Sequence, residues 1–396
     1  MCPRPSSDAL AKIGDLAAEA GLRRVHLLSW RDAEDVEAGG SEVHAAEVAR
    51  HWARAGIDVT WRASFAADHP TVATRDGYKV IRRAGRYLVF PRAAFSELVG
   101  RHGPSDGLVE IWNGMPFFAP LWYRRPRIVM LHHVHAEMWK MVLGEENPML
   151  GHLGNLIERR IAPPFYRGSR IVTPSESARD EVVSLLRLPR SHIDVVHNGL
   201  GFAFGPGETK TPEPSIIAVG RLVPVKRHDL LIRAAAVARR QVPDLTLTLV
   251  GEGYEREAIQ AVIRELQAEH WVRLTGRVAE TELVRLYQRS WIAASASARE
   301  GWGLSLTEAA ACGTPAVATR IAGHLDSVHD DVSGLLVPGT SDALGGALAK
   351  VLLDHDLRAR LQAGAIERAS TLSWETTALG LMRVLAGEAH RHRRVA

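Results

Sequence analysis

The chain has 396 residues, of which 46% are hydrophobic and 24% are charged, with a net charge of +4 and a pI near 9.2. This length predicts two domains, and the composition is typical of folded globular proteins, so extended disorder is expected only at the ends. The mild positive charge suits anionic ligands or an anionic membrane surface. The sequence lacks the dense basic stripe that nucleic-acid binding needs.

The cysteines and the hydrophobic runs indicate in which cellular compartment the protein is expected. The two cysteines, Cys2 and Cys312, predict neither a disulfide framework nor a cysteine metal cluster. The opening segment lacks the apolar run of a signal peptide, and no later stretch reaches the roughly 18 apolar residues of a membrane span. We therefore expect a cytoplasmic protein.

In the first half, short apolar runs alternate with helical patterns, as is typical of parallel sheets with crossover helices. A first long helix is predicted over 42–55, with Glu42 near its start and Gly56 after its end. Gly39 and Gly40 form a turn ahead of this helix, at the sheet edge where ligands of such folds bind. The predicted strands are 25–29, 58–64, 108–112, 127–131, 170–173 and 193–196.

Two further segments of this half allow alternatives. Aromatic residues and arginines mix in 115–127, which suits either a membrane interface or core packing with surface arginines; the residues are Phe117, Phe118, Trp122, Tyr123, Arg124 and Arg125. His132, His133 and His135 follow the strand 127–131, and the spacing of His133 and His135 also suits a zinc site. No convincing partner set of His and Asp accompanies them.

Glycine and proline fill 199–201 and 205–214, which predicts an exposed linker between two domains. A second series of strands is predicted at 215–220, 245–250, 272–275, 292–295, 316–319 and 335–337. The fold class is therefore α/β, with two doubly wound, Rossmann-like parallel sheets facing across a cleft. The Arg- and His-rich end, 390–396, is expected to be a frayed tail.

Three motifs of the second half suggest a phosphate site. Arg221 follows a strand and Lys226 comes five residues later, so the two cations could hold a departing diphosphate. Gly251 follows the next strand, but Arg256 replaces the third glycine of a dinucleotide fingerprint, so this motif is weak alone. In 299–319, Gly301 and Gly303 let the backbone come close to a ligand, and the helix start that follows them favours anions. The candidate site residues of this segment are Glu300, Gly301, Gly303, Leu304, Ser305 and Glu308.

The segment 299–319 resembles the signature of the retaining GT-B glycosyltransferase family GT4, in which two glutamates separated by seven residues mark the site, as Glu300 and Glu308 are here. Segments 172–183 and 195–200, and Trp374 near the last helix, extend the resemblance over nearly the whole chain. It implies an acceptor domain at 1–204, a nucleotide-sugar domain at 205–372, and a helix at 373–396 that returns to the first domain and ends in the tail.

The resemblance also implies site roles. His135, Glu300, Arg221 and Lys226 would be catalytic, with Glu300 accepting from sugar hydroxyls and Glu308 from ribose hydroxyls. The donor would be bound by Gly39, Gly40, Arg221, Lys226, Gly251, Arg277, Val278, Glu300, Gly301, Gly303, Leu304, Ser305 and Glu308.

We therefore predict a retaining hexosyltransferase that moves a sugar from a UDP- or GDP-sugar to a hydroxyl of a glycan, glycolipid or small molecule. The cation pair would replace a metal, so neither metal nor cofactor is expected, nor is nucleic acid a partner. The protein would act in the cytoplasm or peripherally at the inner face of the membrane. The alternatives are a sugar phosphorylase, a nucleotide-sugar epimerase, or a non-catalytic subunit of the same fold.

Overall fold

The structure is a computed structural model that describes residues 7–136, 138–143 and 148–395. The chain divides into two compact units: an amino-terminal unit, which combines residues up to Gly199 with those from Trp374 onward, and a carboxyl-terminal unit from Leu200 to Ser373. The division precedes the predicted 204/205 boundary, because Leu200 and Phe204 are buried in a core of the carboxyl-terminal unit. Cys312 is buried in the same core, and Cys2 lies outside the described residues.

The described part of the amino-terminal unit is built on an eight-stranded sheet. Its strands are β1 (Arg24–Leu28), β2 (Asp58–Ala63), β3 (Val72–Arg75), β4 (Tyr78–Arg82), β5 (Gly107–Ile111), β6 (Arg127–Met130), β7 (Arg170–Thr173) and β8 (Ile193–Val195). Their order is β3-β4-β2-β1-β5-β6-β7-β8, and only β3 and β4 pair in antiparallel fashion. The six predicted strands are present, whereas the β3–β4 hairpin was not predicted.

Helices connect these strands, as the crossovers of a parallel sheet require. They are α1 (Ser7–Ala20), α2 (Gly40–Arg54), α3 (Val89–Leu98), α4 (Ala119–Trp122), α5 (Met138–Leu143), α6 (Pro148–Leu156), α7 (Pro163–Tyr166) and α8 (Glu176–Leu186), with a π-helical turn at Ile157–Ile161 and a 3-10 turn at Arg190–His192. The predicted helix 42–55 corresponds to α2, and Gly56 follows it with a φ of 88°.

The carboxyl-terminal unit contains a six-stranded parallel sheet. Its strands are β9 (Ser215–Val219), β10 (Thr246–Val250), β11 (Val272–Gly276), β12 (Ile292–Ser295), β13 (Ala316–Thr319) and β14 (Gly334–Val337), in the order β11-β10-β9-β12-β13-β14. Its helices are α9 (His228–Arg239), α10 (Arg256–Glu265), α11 (Glu280–Arg289), α12 (Leu304–Ala311), α13 (His324–Ser327), α14 (Ser341–Leu353) and α15 (His355–Ser370), and a 3-10 turn occupies Pro224–Lys226. This is the doubly wound strand order of nucleotide-binding sheets.

The last helix, α16 (Trp374–Val395), packs against α1 and α2 in the amino-terminal unit. The Trp52 indole donates to the Ala378 carbonyl at 2.9 Å. The prediction of a frayed tail is wrong for residues 390–395, because the helix continues to Val395 and Arg393 donates to the Glu19 carbonyl at 3.1 Å. None of the helices in the described ranges is long and apolar enough to cross a bilayer.

Candidate functional site

The strand order of the carboxyl-terminal sheet reverses between β9 and β12, which are hydrogen-bonded neighbours. Ligands of doubly wound sheets bind outside the carboxyl ends of the strands at such a switch point. The segments after these two strands carry Arg221, Lys226 and Glu300. The structure therefore brings three of the predicted site residues to one edge of one sheet.

Glu300 is the centre of a polar cluster at this edge. Lys226 Nζ donates to Glu300 Oε1, and Ser297 Oγ donates to the same atom at 2.8 Å. Burial acts to raise the pKa of Glu300, but the charge of Lys226, with His324 and Ser297 nearby, outweighs it and holds the pKa below its usual value. About 20% of each side chain of the ion pair is exposed. Glu300 is thus ionised at neutral pH, and both side chains are accessible to a ligand.

His324, the first residue of α13 after β13, supports this cluster. It is 1% exposed, its Nδ1 lies 2.8 Å from the Thr319 carbonyl, and burial lowers its pKa, so the ring is neutral at neutral pH. Thr319 Oγ1 donates to the Ser297 carbonyl at 2.7 Å. These contacts join the segments after β12 and β13 and fix the position of Ser297 beside Glu300.

The loops after β9 and β10 are packed tightly together. The Leu222 amide donates to the Glu252 carbonyl at 2.9 Å. Gly251 has a φ of +141°, and a Cβ at this position would lie 2.0 Å from the Gly220 carbonyl oxygen. Only glycine fits here, so the role of Gly251 in this structure is to let the loop that carries Arg221 approach β10.

The turn between Glu300 and α12 passes very close to neighbouring residues. A Cβ on Gly303 would lie 2.7 Å from Ser327 Oγ, and Gly301 is buried. Leu304 and Ser305 open α12, so their amides have no carbonyl in a preceding helical turn. The positive end of the helix dipole adds to this, so the turn offers donors and a favourable potential to an anion.

Glu308 lies within α12 and is partly buried. Burial raises its pKa to about 7, although the Tyr287 hydroxyl, which donates to Oε2 at 3.0 Å, acts in the opposite direction. A carboxyl group that titrates near neutral pH can accept hydrogen bonds from ligand hydroxyls in its ionised form. Its predicted contact with a ribose remains a prediction.

Arg277 and Val278 lie away from this cluster. They follow β11, the edge strand, which is separated from β9 by β10. Arg277 is exposed, and Val278 packs partly against the core that contains Leu306 and Tyr287. Their contact with a nucleotide base remains a prediction.

The predicted residues Gly39 and Gly40 belong to the amino-terminal unit, in the turn that starts α2. Glu42 completes a capping box, because its Oε2 accepts from the Gly39 amide at 2.8 Å. Arg31 Nε lies 3.5 Å from Glu42 Oε1, and both side chains are buried. The turn is therefore held rigidly at the carboxyl end of β1.

His135 follows β6 in the same unit and is held by Glu158, which no sequence motif indicated. Glu158 Oε1 accepts from the His135 amide at 2.9 Å, and Oε2 accepts from the Trp139 indole at 2.9 Å. Glu158 is fully buried and lies in the π-helical turn, a local irregularity that is frequent at functional sites. It fixes the backbone that presents His135.

The metal alternative finds no support in the described ranges. The rings of His133 and His135 stack with 4.8 Å between centroids, and His132 packs edge-on against His44 at 4.9 Å. Across the part of the chain that the structure describes, no three His, Cys, Asp or Glu side chains could jointly hold a metal ion. Glu137, next to this segment, lies outside the described residues.

The membrane interpretation of 115–127 is wrong for Phe117 and Tyr123, which are 3% and 7% exposed and belong to a core cluster. The buried Glu110 carboxylate accepts from the Phe117 amide at 2.5 Å, which draws this segment into the core. Arg124 and Arg125 are exposed, so core packing with surface arginines describes the segment better. Peripheral membrane contact through the other four residues, Phe118, Trp122, Arg124 and Arg125, remains a prediction.

Ser297, His324 and Tyr287 were not singled out from the sequence. A usable signal exists for Ser297 and His324, because each comes shortly after a predicted strand, where ligand-facing residues of such sheets concentrate. Tyr287 carries no such signal, since its contact with Glu308 depends on how α11 packs on α12.

Solved structures share this architecture. Sucrose-phosphate synthase from Thermosynechococcus elongatus superposes with a TM-score of 0.78 at 20% identity, covering 94% of this chain and 99% of the other. Anabaena Alr3699/HepE, solved in complex with UDP and glucose, gives a TM-score of 0.70 at 18% identity, covering 92% and 100% of the two chains. The fold is therefore GT-B, the architecture of a large class of glycosyltransferases.

Sequence comparison gives the family. Residues 203–368 match Glycosyl transferases group 1, and residues 38–201 match Glycosyltransferase Family 4. The D-inositol 3-phosphate glycosyltransferase of Kribbella flavida is 28% identical over 405 residues, covering 91% of this chain and 95% of the relative. That of Frankia alni is 32% identical over 235 residues, covering 54% of this chain and 58% of the relative. The chain belongs to the group 1, GT4-type glycosyltransferases and is a transferase enzyme.

Proposed function

We propose that this enzyme transfers a hexosyl group from a nucleoside-diphosphate sugar to an acceptor hydroxyl, with retention of the anomeric configuration. The observation that carries the proposal is the Lys226–Glu300 ion pair beside the first amides of α12, at the switch point of the carboxyl-terminal sheet. Cationic and amide donors suit a diphosphate, and a carboxylate beside them suits sugar hydroxyls.

The proposed chemistry depends on charge that develops on the leaving diphosphate. Lys226, Arg221 and the amides of Leu304 and Ser305 would stabilise this charge more in the transition state than in the bound donor. Glu300 orients the Lys226 ammonium before a donor arrives. No side chain needs to act as a covalent nucleophile, since the leaving phosphate would accept the proton of the attacking hydroxyl.

Two comparisons suggest which substrates to test first. Alr3699/HepE was solved with UDP and glucose, which favours a UDP-hexose over a GDP-hexose. The relatives are D-inositol 3-phosphate glycosyltransferases, which favours a phosphorylated polyol among acceptors, ahead of glycans and lipid-linked sugars.

Product analysis would test the proposal. The purified enzyme is incubated with UDP- and GDP-hexoses and each acceptor class, and products are identified by mass spectrometry and by NMR of the new anomeric centre. A retained configuration in a new glycoside is the expected result. Phosphate-dependent cleavage would indicate a phosphorylase, an isomerised donor an epimerase, and binding without turnover a non-catalytic subunit, and each would contradict the proposal.

We also propose that the reaction needs no metal, because Lys226 and Arg221 supply the positive charge. Turnover should therefore be unchanged within about twofold after treatment with EDTA. The control is the same enzyme dialysed without chelator and assayed with added magnesium or manganese. Loss of turnover with EDTA and its return with either metal would contradict the assigned role of the two cations.

A further inference from the structure

A cavity of about 350 Å³ lies in the amino-terminal unit, lined in part by Arg125, Arg127, Ser169 and Arg391. Arg127 is the first residue of β6, and Ser169 immediately precedes β7. The cavity therefore lies at the amino ends of these two parallel strands.

The predicted site residues of this unit lie at the opposite edge of the sheet. Gly39 and Gly40 follow the carboxyl end of β1, and His135 follows the carboxyl end of β6. The four residues of β6 span about 13 Å at 3.3 Å per residue, so the cavity is separate from those residues.

Positive charge dominates the lining of the cavity. Arg125 and Arg127 donate to the backbone carbonyls of Ser105 and Tyr123, so neutral groups hold them. Glu388 is the carboxylate of the lining, and Arg391 pairs with it at 2.9 Å. Three guanidinium groups less one carboxylate leave an excess of two positive charges, to which His392 adds a further nitrogen base.

Two polar groups at this cavity have no hydrogen-bond partner within the described part of the chain. Ser169 is 3% exposed, and its hydroxyl has no hydrogen-bond partner among the residues that the structure describes. The buried Nε of Arg127 likewise has no hydrogen-bond partner among the described residues. Burial lowers the pKa of Arg127, because nearby negative charge only partly compensates for desolvation of the guanidinium. Unmet donors of this kind are costly unless a ligand accepts from them.

We infer that this cavity binds a phosphate-type anion, either free phosphate or a phosphomonoester. Planar guanidinium groups match phosphate oxygens in pairs, and a serine hydroxyl supplies a further donor. The volume falls within the range of small-molecule sites, so it admits a phosphate with a substituent. The inference also gives a role to the Arg- and His-rich end of the chain, which forms the last turns of α16 at this place.

The test is calorimetric titration of the full chain with inorganic phosphate. Arg391→Ala should weaken phosphate binding about tenfold, because it removes a charge-assisted contact, and Ser169→Ala about threefold. Arg394→Ala, which removes an exposed arginine of the same helix that does not line the cavity, is the matched control and should bind as the wild type does. Lys226→Ala, at the proposed donor site, should still show the phosphate binding that Arg391→Ala weakens.

Vesicle flotation distinguishes the two sources of the phosphate group. Binding to phosphatidylcholine vesicles that contain phosphatidic acid, lost in Arg391→Ala, would indicate a lipid headgroup. Phosphate binding without flotation would indicate a soluble ligand, and both results support the site. Thermal unfolding verifies that each variant is folded. The inference is overturned if the wild type does not bind phosphate, or if folded Arg391→Ala and Ser169→Ala both bind it as tightly as the wild type.

Discussion

Lys226 is the residue on which the proposed reaction depends most directly. Lys226→Ala should lower kcat by about 30- to 1,000-fold, or roughly 2–4 kcal/mol, because its interaction strengthens as charge moves onto the leaving diphosphate. Arg221→Ala should behave alike, and the double variant should lose less than the sum, since both act on the same phosphates. Steady-state kinetics measures this loss, and titration with the intact donor should show a smaller change.

The control for this prediction is Lys350→Ala, which removes an exposed lysine of α14. It should leave both kcat and donor affinity unchanged. If Lys226→Ala and Arg221→Ala unfold at the wild-type temperature and turn over a verified donor at near-wild-type rates, the diphosphate is not bound by these residues.

Glu308 predicts a pH dependence of donor use. Its pKa of about 7 lies above the ordinary value of 4.5, so its carboxylate forms only as the pH rises through neutrality. If the carboxylate accepts from ribose hydroxyls, kcat/KM for the donor should rise between about pH 6 and pH 8 and level off above. Glu308→Gln should raise KM and flatten this profile. A profile of the same slope in the variant would assign the titration to another group.

The raised pKa of Glu308 affects folding stability in the opposite direction, since stability falls as the pH rises. The folded protein binds the Glu308 proton more tightly than the unfolded chain, so this group stabilises the fold fully below about pH 4.5 and progressively less up to pH 7. The proposed function therefore needs the form of Glu308 that stabilises the fold less. A buried ionisable group retained at that cost is typical of functional sites.

At this scale, sequence motifs predicted the residues with distinctive spacing but not those that support them. Lys226 and Glu300, which the motifs singled out, lie together at one sheet edge, whereas their neighbours Ser297 and His324 were not singled out. Each supporting residue has an ordinary identity, and its role arises from contacts between loops that follow different strands. No local pattern encodes those contacts.

Among the elements, the loop after β10 offers a clear test of backbone shape. Gly251→Ala would place a Cβ 2.0 Å from the Gly220 carbonyl oxygen at a φ of +141°. We expect a loss of roughly 2–4 kcal/mol in the free energy of unfolding, together with lower donor affinity, because the loop that carries Arg221 must move. Urea denaturation of the carboxyl-terminal unit measures the free energy of unfolding, and donor titration measures the affinity.

Gly346→Ala is the matched control in the same unit. Gly346 is exposed in α14, and a Cβ there meets no atom within 4 Å. Alanine should stabilise this helix by up to about 1 kcal/mol without changing donor affinity. A Gly251→Ala variant as stable as Gly346→Ala would mean that the loops after β9 and β10 are not packed as described.

The β3–β4 hairpin shows why one element escaped prediction. The side chains of β3 alternate between exposed and half-buried, so this strand lacks the apolar run by which the six predicted strands of the unit were found. The turn itself carried a signal, since Asp76 and Gly77 have φ values of 46° and 89°, the backbone that Asp-Gly favours in tight hairpins. Turn chemistry would have located this hairpin where hydrophobic periodicity did not.

For the whole molecule, alternation of apolar runs and helical patterns predicted two parallel sheets, but not which residues complete each unit. The chain enters the amino-terminal unit a second time at Trp374, far in sequence from the rest of that unit. The periodicity of α16 says only that one face is apolar. Its partner surface on α1 and α2 was expected from the family resemblance and is seen only in three dimensions.

This arrangement predicts that the amino-terminal unit cannot fold without α16. Leu381, Met382 and Leu385 are each at most 1% exposed and belong to its main core. Removing one large buried side chain costs about 2–5 kcal/mol, so the loss of three approaches the roughly 5–15 kcal/mol that stabilises a typical domain. A chain that ends at Ser373 should therefore retain a folded carboxyl-terminal unit and lose the amino-terminal one.

Hydrogen exchange read by mass spectrometry can separate the two units. In the chain that ends at Ser373, peptides from β1, β2 and α1 should exchange rapidly, while those from β9 to β14 should keep their protection. The control is a chain that ends at Ala389, which removes exposed residues of the last turns but keeps the buried face of α16. It should protect both units. Protection of β1 and β2 in the shorter chain would show that the amino-terminal core is stable by itself and that α16 only covers it.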